Sequence, residues 1–171
     1  AFGGIIDSNA NFSTGHVKVM TRAYEEISDQ IPNDLVILGL EKEIKRLNSI
    51  YPNMFWIPRI KFGGLLDVPD KNNETRAQGP VFGMGIDLLS ANSKEFELLN
   101  LKEGIIQGHI PSKPNEILIS DDYAKKINLK IGDRVTLLSS TMDGSMAVYN
   151  FFVAGTIKFG IAAMDRGAFI A

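Results

Sequence analysis

The chain contains no cysteine, which excludes disulfide staples, thiol nucleophiles and cysteine-ligated zinc together, and leaves the compartment open. Its two histidines, His16 and His109, lie far apart and outside any ligand-spaced pattern such as H-x-x-x-H, so both are read as surface or structural residues. No apolar run approaches the roughly 20 residues that a membrane helix requires, and no charged stretch precedes an apolar one as in a secretory signal. An excess of positive charge is also missing. With 18 basic and 20 acidic residues spread along the chain and a net charge of -2, no long-range positive field exists to hold nucleic acid. Low-complexity stretches and internal repeats are absent. Hydrophobic residues at 44% and charged residues at 22% lie near globular averages, so wholesale disorder is excluded and a substantial core is expected.

What is present reads as strands with a few helices. The opening "AFGGIIDSNANFSTG" is rich in Gly, Ser and Asn and reads as an irregular lead-in. In "HVKVM", Val17 and Val19 alternate with polar neighbours and predict a half-buried strand. Leu40, Ile44, Leu47 and Ile50 are spaced by four, three and three, which lines one face of a helix that Pro52 and Asn53 end. "MFWIPRIKFGGLLDV" and "TRAQGPVFGMGIDLL" read as strands whose Gly and Pro suit bulges or edges, with a soft boundary near the loop "PDKNNE" between them. "SKEFELLNL" predicts a short helix capped by Ser93, with Phe96 and Leu99 inward. From Glu116 the series is strand "EILIS", helix "DDYAKKINL", turn "KIGD", strand "RVTLL", the polar hairpin loop "SSTMDGSM", strand "YNFFVAGTI" and a last segment "GAFIA". Because the chain starts at Ala1 and stops inside an expected strand, it is expected to be a segment of a longer protein.

Few groups combine into chemistry. Ser145 in "DGSMA" lacks the G-x-S-x-G frame of a nucleophile elbow and suits a hairpin loop. "GMGID" at residues 83–87 has two glycines but no third in G-x-G-x-x-G register, so bulged-strand glycines are favoured over a phosphate cradle. Asp121 and Asp122 follow Ser120 at a helix start, where carboxylates complement the helix dipole, and capping is favoured over acid–base or metal work. Asn11 and Asn73 stand in sequons that matter only in a eukaryotic secretory setting. The aromatic patch Phe55, Trp56 and Phe62 is the one candidate contact surface. It reads first as core, with a lipid or apolar-ligand face as the alternative, and Arg59 and Lys61 alternate with it as a solvated strand face would. No catalytic residue, cofactor site or metal site is expected.

The order of the segments adds what no single motif carries. "TGHVKVMTRAYEE", "PRIKFGGLL", "VFGMGIDLL", "GIIQGHIPSKPNEILISDDYAKKINLKIGDRVTLLSS" and "YNFFVAGTIKFGIAAMDRGAFIA" together resemble the periplasmic core domain of MacB/FtsX/LolCE-type bacterial ABC transporter permeases. The resemblance runs from about Thr14 to the C-terminus. It implies an α+β domain with two parts: a mixed α/β, membrane-proximal subdomain of strand-helix-strand units, about residues 14–64, and an inserted β-rich subdomain, about residues 65–171. His16 to Phe62 would form the first strand-helix-strand unit. A second unit is common in the family after the position of Ala171, so the α/β part is expected to be incomplete or completed by another chain. The resemblance also implies a noncatalytic domain on the periplasmic side of the bacterial inner membrane, flanked by membrane helices of a multi-pass protein. ATP would be bound by a separate ATPase subunit or domain. Expected partners are that ATPase, a second permease protomer, and a periplasmic lipoprotein, adaptor or other cargo. The ending "GTIKFGIAAMD" looks closer to the lipoprotein-releasing type than to the macrolide exporters.

Overall fold

The computed structural model describes residue 15 and residues 17–171. His16, Asn11 and most of the lead-in fall outside them.

From the second third of the chain onward, alternation of apolar residues builds a closed barrel. Seven strands form: β1 (Ile60–Pro69), β2 (Thr75–Gly85), β3 (Ile105–Gly108), β4 (Glu116–Ser120), β5 (Arg134–Ser140), β6 (Met146–Ile157) and β7 (Ala168–Ile170). Their order is β3-β6-β4-β7-β2-β1-β5, and β5 also pairs with β6, so six strands close on themselves while β3 lies outside on β6. Closure removes the open edges that a flat sheet would expose. Pairing is mixed: β2 with β7 and β4 with β6 are parallel, and the other ladders are antiparallel.

Period-two patterning fills the barrel. Leu66 and Val68, Ile117 and Ile119, Val135 and Leu137, Phe151 and Val153, with Phe169, point inward and are buried. Helix α5 (Asp121–Lys126) adds Tyr123 and Ala124 to this interior, and Leu129 follows it in. A second apolar cluster lies on the outer face, where Leu118, Ile157 and Ile170 meet Leu99 and Leu101. Those two leucines belong to the short helices α3 (Glu95–Leu98) and α4 (Leu101–Gly104) and their flanks, and α6 (Ala162–Asp165) adds Met164 at the edge. Each fully buried aliphatic side chain contributes about 1.5–3 kcal/mol, so the two clusters give the strands both an inner and an outer reason to associate.

Long β6 is shared among three neighbours. Its first half pairs with β5, and its second half with β4 and β3. The register slips by one residue where Ile117 faces Val153 and Leu118 faces Gly155, a bulge that re-aims the strand. Gly155 sits there because a Cβ would lie 2.8 Å from the carbonyl oxygens of both Gln107 and His109. At the start of β5, Gly132 turns the chain at a φ of +86°, and its N–H donates to the Val153 carbonyl at 2.8 Å. The loop expected as a soft boundary is instead the β1–β2 turn: Asp70 Oδ1 accepts from the N–H groups of Asn72 and Glu74 at 2.7 and 2.9 Å. An Asp that satisfies its own turn needs no linker around it.

Before the barrel comes a helical arm. Helix α1 (Arg22–Glu26) is capped by Thr21, whose Oγ1 accepts from Tyr24 N and donates to the Leu35 carbonyl. Two single 3₁₀ turns follow, then α2 (Leu40–Ile50). The expected helix is therefore present. The expected strand at "HVKVM" is not: residues 17–20 are irregular, with Val17 54% and Val19 40% exposed. Alternation alone does not make a strand, because a strand is stabilised by cross-strand neighbours and none of the described strands runs beside these residues. The strand-helix-strand unit expected over His16 to Phe62 is accordingly not formed among the described residues, since α2 leads instead to β1, a barrel strand that begins at Ile60.

Candidate binding cleft

Between the helical arm and one end of the barrel lies an apolar cleft of about 990 Å³. Its walls come from residues 17–21, the apolar face of α2, the irregular run Phe55 to Arg59, the start of β1, and the rim formed by Gly85, Ile86, Asp87 and Ala171. On α2 only Leu47 is buried, while Leu40 and Ile50 remain exposed. The stripe that the spacing predicts thus faces the cleft in part and is only partly covered.

The aromatic patch expected from the sequence is split. Phe62 lies on the inward side of β1 with Leu66 and Val68, packs edge-on against Phe169 at 5.4 Å between ring centroids, and belongs to the barrel interior. Its ring lies over Gly83 directly opposite, where a Cβ would fall 2.3 Å from it. That is why "GMGID" carries a glycine there: the β1–β2 register is unbroken at Gly83, and the residue makes room for a ring where a bulge was expected. Phe55 and Trp56 line the cleft instead. Phe55 is 56% exposed beneath the Lys94 ammonium, 4.3 Å from its centroid. Trp56 is half-buried beside Tyr51, and its Nε1 is buried without a hydrogen-bond partner among the described residues. Asn33 Oδ1, on the same cleft, is likewise buried and unmatched.

Ionic contacts hold the walls in place. Arg59 donates from Nε and Nη2 to the two carboxylate oxygens of Glu95 at 2.8 and 2.5 Å. Glu95 is 1% exposed, so this fork ties the cleft floor to α3. Glu43 on α2 is gripped by Arg46, and Asp87 accepts from the N–H groups of Leu89 and Ser90. The Lys61 ammonium is half-buried, and that burial, with the like charges of Lys18 and Arg59, holds its pKa below the ordinary lysine range.

The other sequence candidates are occupied structurally. Ser145 closes the β5–β6 turn with Thr141, through Ser145 N to Thr141 Oγ1 at 3.1 Å and Thr141 N to the Ser145 carbonyl at 2.8 Å. Ser120 caps α5 by accepting from Tyr123 N, as expected. Asp121 bonds Lys125 at 2.6 Å and Thr156 at 2.9 Å, while Asp122 bonds Lys158 at 3.1 Å. Burial acts to raise the Asp121 pKa, but the hydrogen bonds from Lys125 and Thr156 outweigh it, and the carboxyl titrates below its ordinary range. His109 is exposed, with Nδ1 2.8 Å from the Ile110 carbonyl. Asn73 receives a hydrogen bond from Arg134. Among the described residues no cluster of three or more carboxylates and histidines is placed to hold a metal ion.

Two further surfaces were not anticipated. A polar basin of about 540 Å³ at the other end of the barrel is lined by Asp70, Lys71, Arg76, Lys130, Asp133 and Arg134. Its guanidinium groups are already engaged by Asn128, Asp133 and Asn73. The β5–β6 hairpin also exposes Met146 (79%), Val148 and Tyr149. The sequence reads "SSTMDGSM" as a polar loop, yet Met142 and Met146 within it are exposed, and Val148 and Tyr149 continue that apolar surface along β6.

No family model and no curated protein matches this chain. No helix of the described residues is long and apolar enough to cross a membrane.

Proposed function

We propose that this chain is a noncatalytic extracytoplasmic domain of an ABC transporter permease, of the MacB/FtsX/LolCE type, that passes ATP-driven movement to a periplasmic cargo or partner. The observation that supports it most is mechanical. Residues 17–21, which lead into the helical arm, and Ala171, which follows β7, line the same cleft at one end of a closed barrel. A body held at one end and closed by a continuous ladder of strands moves as a unit when its connections move. The apolar surface of the β5–β6 hairpin then offers a place for a partner to be engaged. ATP would be bound by a separate ATPase subunit or domain, and a second permease protomer would complete the transporter. Sequencing the encoding locus tests the proposal. Apolar spans of roughly 20 residues on both sides of this segment, with an ATPase reading frame beside it, are expected; a complete reading frame of this length without spans sinks it.

The cleft favours a second reading, in which the domain is a β-rich module that binds a peptide or a lipid. Its apolar walls and few convergent polar groups are the usual make-up of a binding site, and its volume lies within the ~300–1,000 Å³ of such pockets.

A further inference from the structure

We infer that the polar basin at the end of the barrel away from the cleft seats the dianionic group of a phosphate monoester. This rests on neither reading of function above. Strand β1 begins at Ile60 on the cleft and ends at Pro69 on the basin, so the two sites lie at opposite ends of one strand and share no residue.

The topology brings the basin together. β1 pairs antiparallel with β5, with Asp67 opposite Thr136, so the turn that follows β1 lies beside the loop that precedes β5. Lys71 and Arg76 come from the first segment, and Lys130 and Arg134 from the second. With Asp70 and Asp133 they line a concavity of about 540 Å³. Both segments are fixed from within: Asp70 Oδ1 accepts from two N–H groups of its own turn. Lys130 N–H donates to Asp133 Oδ2 at 3.0 Å, and Asp133 N–H donates to the Lys130 carbonyl at 3.1 Å. Cations carried on ordered backbone lose less freedom when an anion binds.

Charge selects the class of ligand. Four cations face two carboxylates in the basin, although the chain as a whole has a net charge of -2, so the excess is local. Arg76 donates to the Asn128 carbonyl at 2.8 Å and to Asp133 at 3.3 Å. Arg134 donates to the Asn73 side-chain oxygen, a neutral group that leaves its charge uncompensated. Lys71 and Lys130 are exposed, and their ammonium groups make no hydrogen bond or ion pair among the described residues. Arg76 and Asp133 offset each other, and Asp70 offsets one of the three other cations, which leaves an excess of two positive charges. A phosphate monoester carries about -1.5 to -2 charge near neutral pH and three acceptor oxygens. It matches that excess, and its oxygens suit the N–H groups that Arg76 and Arg134 still have open, since a guanidinium carries five donors. A single carboxylate brings half the charge and fewer acceptors.

The intact chain at low ionic strength is titrated with glycerol phosphate, with glycerate and with a capped oligoglutamate, by calorimetry and by the amide NMR signals of Lys130, Gly132 and Asp133. Saturable binding of glycerol phosphate that moves those signals is expected, with glycerate at least about tenfold weaker. Lys71→Gln and Lys130→Gln should each weaken glycerol phosphate several-fold while leaving far-UV circular dichroism unchanged. Lys94→Gln, which removes a cation beside Phe55, should leave binding unaltered. Sedimentation with phosphatidylcholine vesicles, with and without phosphatidic acid, separates the two sources of the group. Retention that requires both phosphatidic acid and the two lysines supports a lipid phosphate, and glycerol phosphate binding without retention supports a soluble ester. Equal binding of glycerate overturns the inference, as does an equal loss in Lys94→Gln, which would make the effect one of overall charge. Tighter binding of oligoglutamate than of glycerol phosphate assigns the basin to an acidic polypeptide and overturns it too. Absence of both heat and amide shifts with glycerol phosphate does the same.

Discussion

Glu95 illustrates how one residue decides a local structure. Its carboxylate is 1% exposed and is forked by Arg59, so the fork is what compensates a buried charge. Replacing Glu95 with Ala removes the bidentate fork, and breaking such a pair costs up to about 3–5 kcal/mol. Urea denaturation of Glu95→Ala should show a loss of that size, and an unchanged midpoint would contradict the fork. Gly155 is a second such position. Because its Cβ would meet two carbonyl oxygens at 2.8 Å, Gly155→Ala is expected to destabilise by about 1–3 kcal/mol through overpacking, detectable as a lower thermal midpoint.

Asp121 supplies the pH dependence at this scale. Its folded pKa lies below the ordinary value of an aspartate, which is about 3.9 in an unfolded chain. The contacts with Lys125 and Thr156 therefore contribute fully above that unfolded value, and the contribution is lost as pH falls through the folded one. Stability measured from neutral pH to well below about pH 4 should fall more steeply in the parent than in Asp121→Asn. Parallel curves would show that Asp121 carries none of the acid sensitivity.

Among the elements, the helical arm and the barrel differ in how they are held. Helix α2 buries Leu47 alone, whereas β1 buries Leu66 and Val68 completely and is flanked on both sides by strands. Amide exchange tracks such differences in local opening. The amides of α2 should exchange far faster than those of β1, β4 and β6, and equal protection would mean that the arm is docked more firmly than its burial shows. The β5–β6 hairpin gives the opposite test. Met146 is 79% exposed, so Met146→Ser is expected to shift stability by no more than about 0.5 kcal/mol while reducing partner capture if the hairpin serves as a contact surface.

Much of this element inventory was legible beforehand. "EILIS", "RVTLL" and "YNFFVAGTI" became β4, β5 and β6 because short runs rich in β-branched and aromatic residues, bounded by turn residues, are a local property. Ser120 before two aspartates likewise marked the start of α5, since capping involves only neighbours in the chain. "HVKVM" failed for the converse reason: Val17 and Val19 have the alternation but no paired strand among the described residues to receive it. The aromatic patch was half legible. Phe55, Trp56 and Phe62 are close in sequence, yet β1 begins only at Ile60, so Phe62 takes the inward side of a strand while the other two stay on the irregular approach to it.

For the molecule as a whole, composition and patterning by themselves determined that the chain has a large apolar core, that it is built mostly of alternating strands with short capped helices, and that it offers cysteine-based chemistry nowhere. Those properties follow from residue types and from neighbours within one turn or one strand. Only the tertiary structure decided that the strands close into a six-membered barrel, because closure depends on β1 meeting β5 and β2 meeting β7 across long sequence separations. It also decided where Trp56 and Asn33 come to share a wall: they sit on segments separated by all of α2, and no pattern along the chain records that approach. Contacts between distant residues are set by the packing of complete elements, and a local pattern specifies each element without specifying its neighbour.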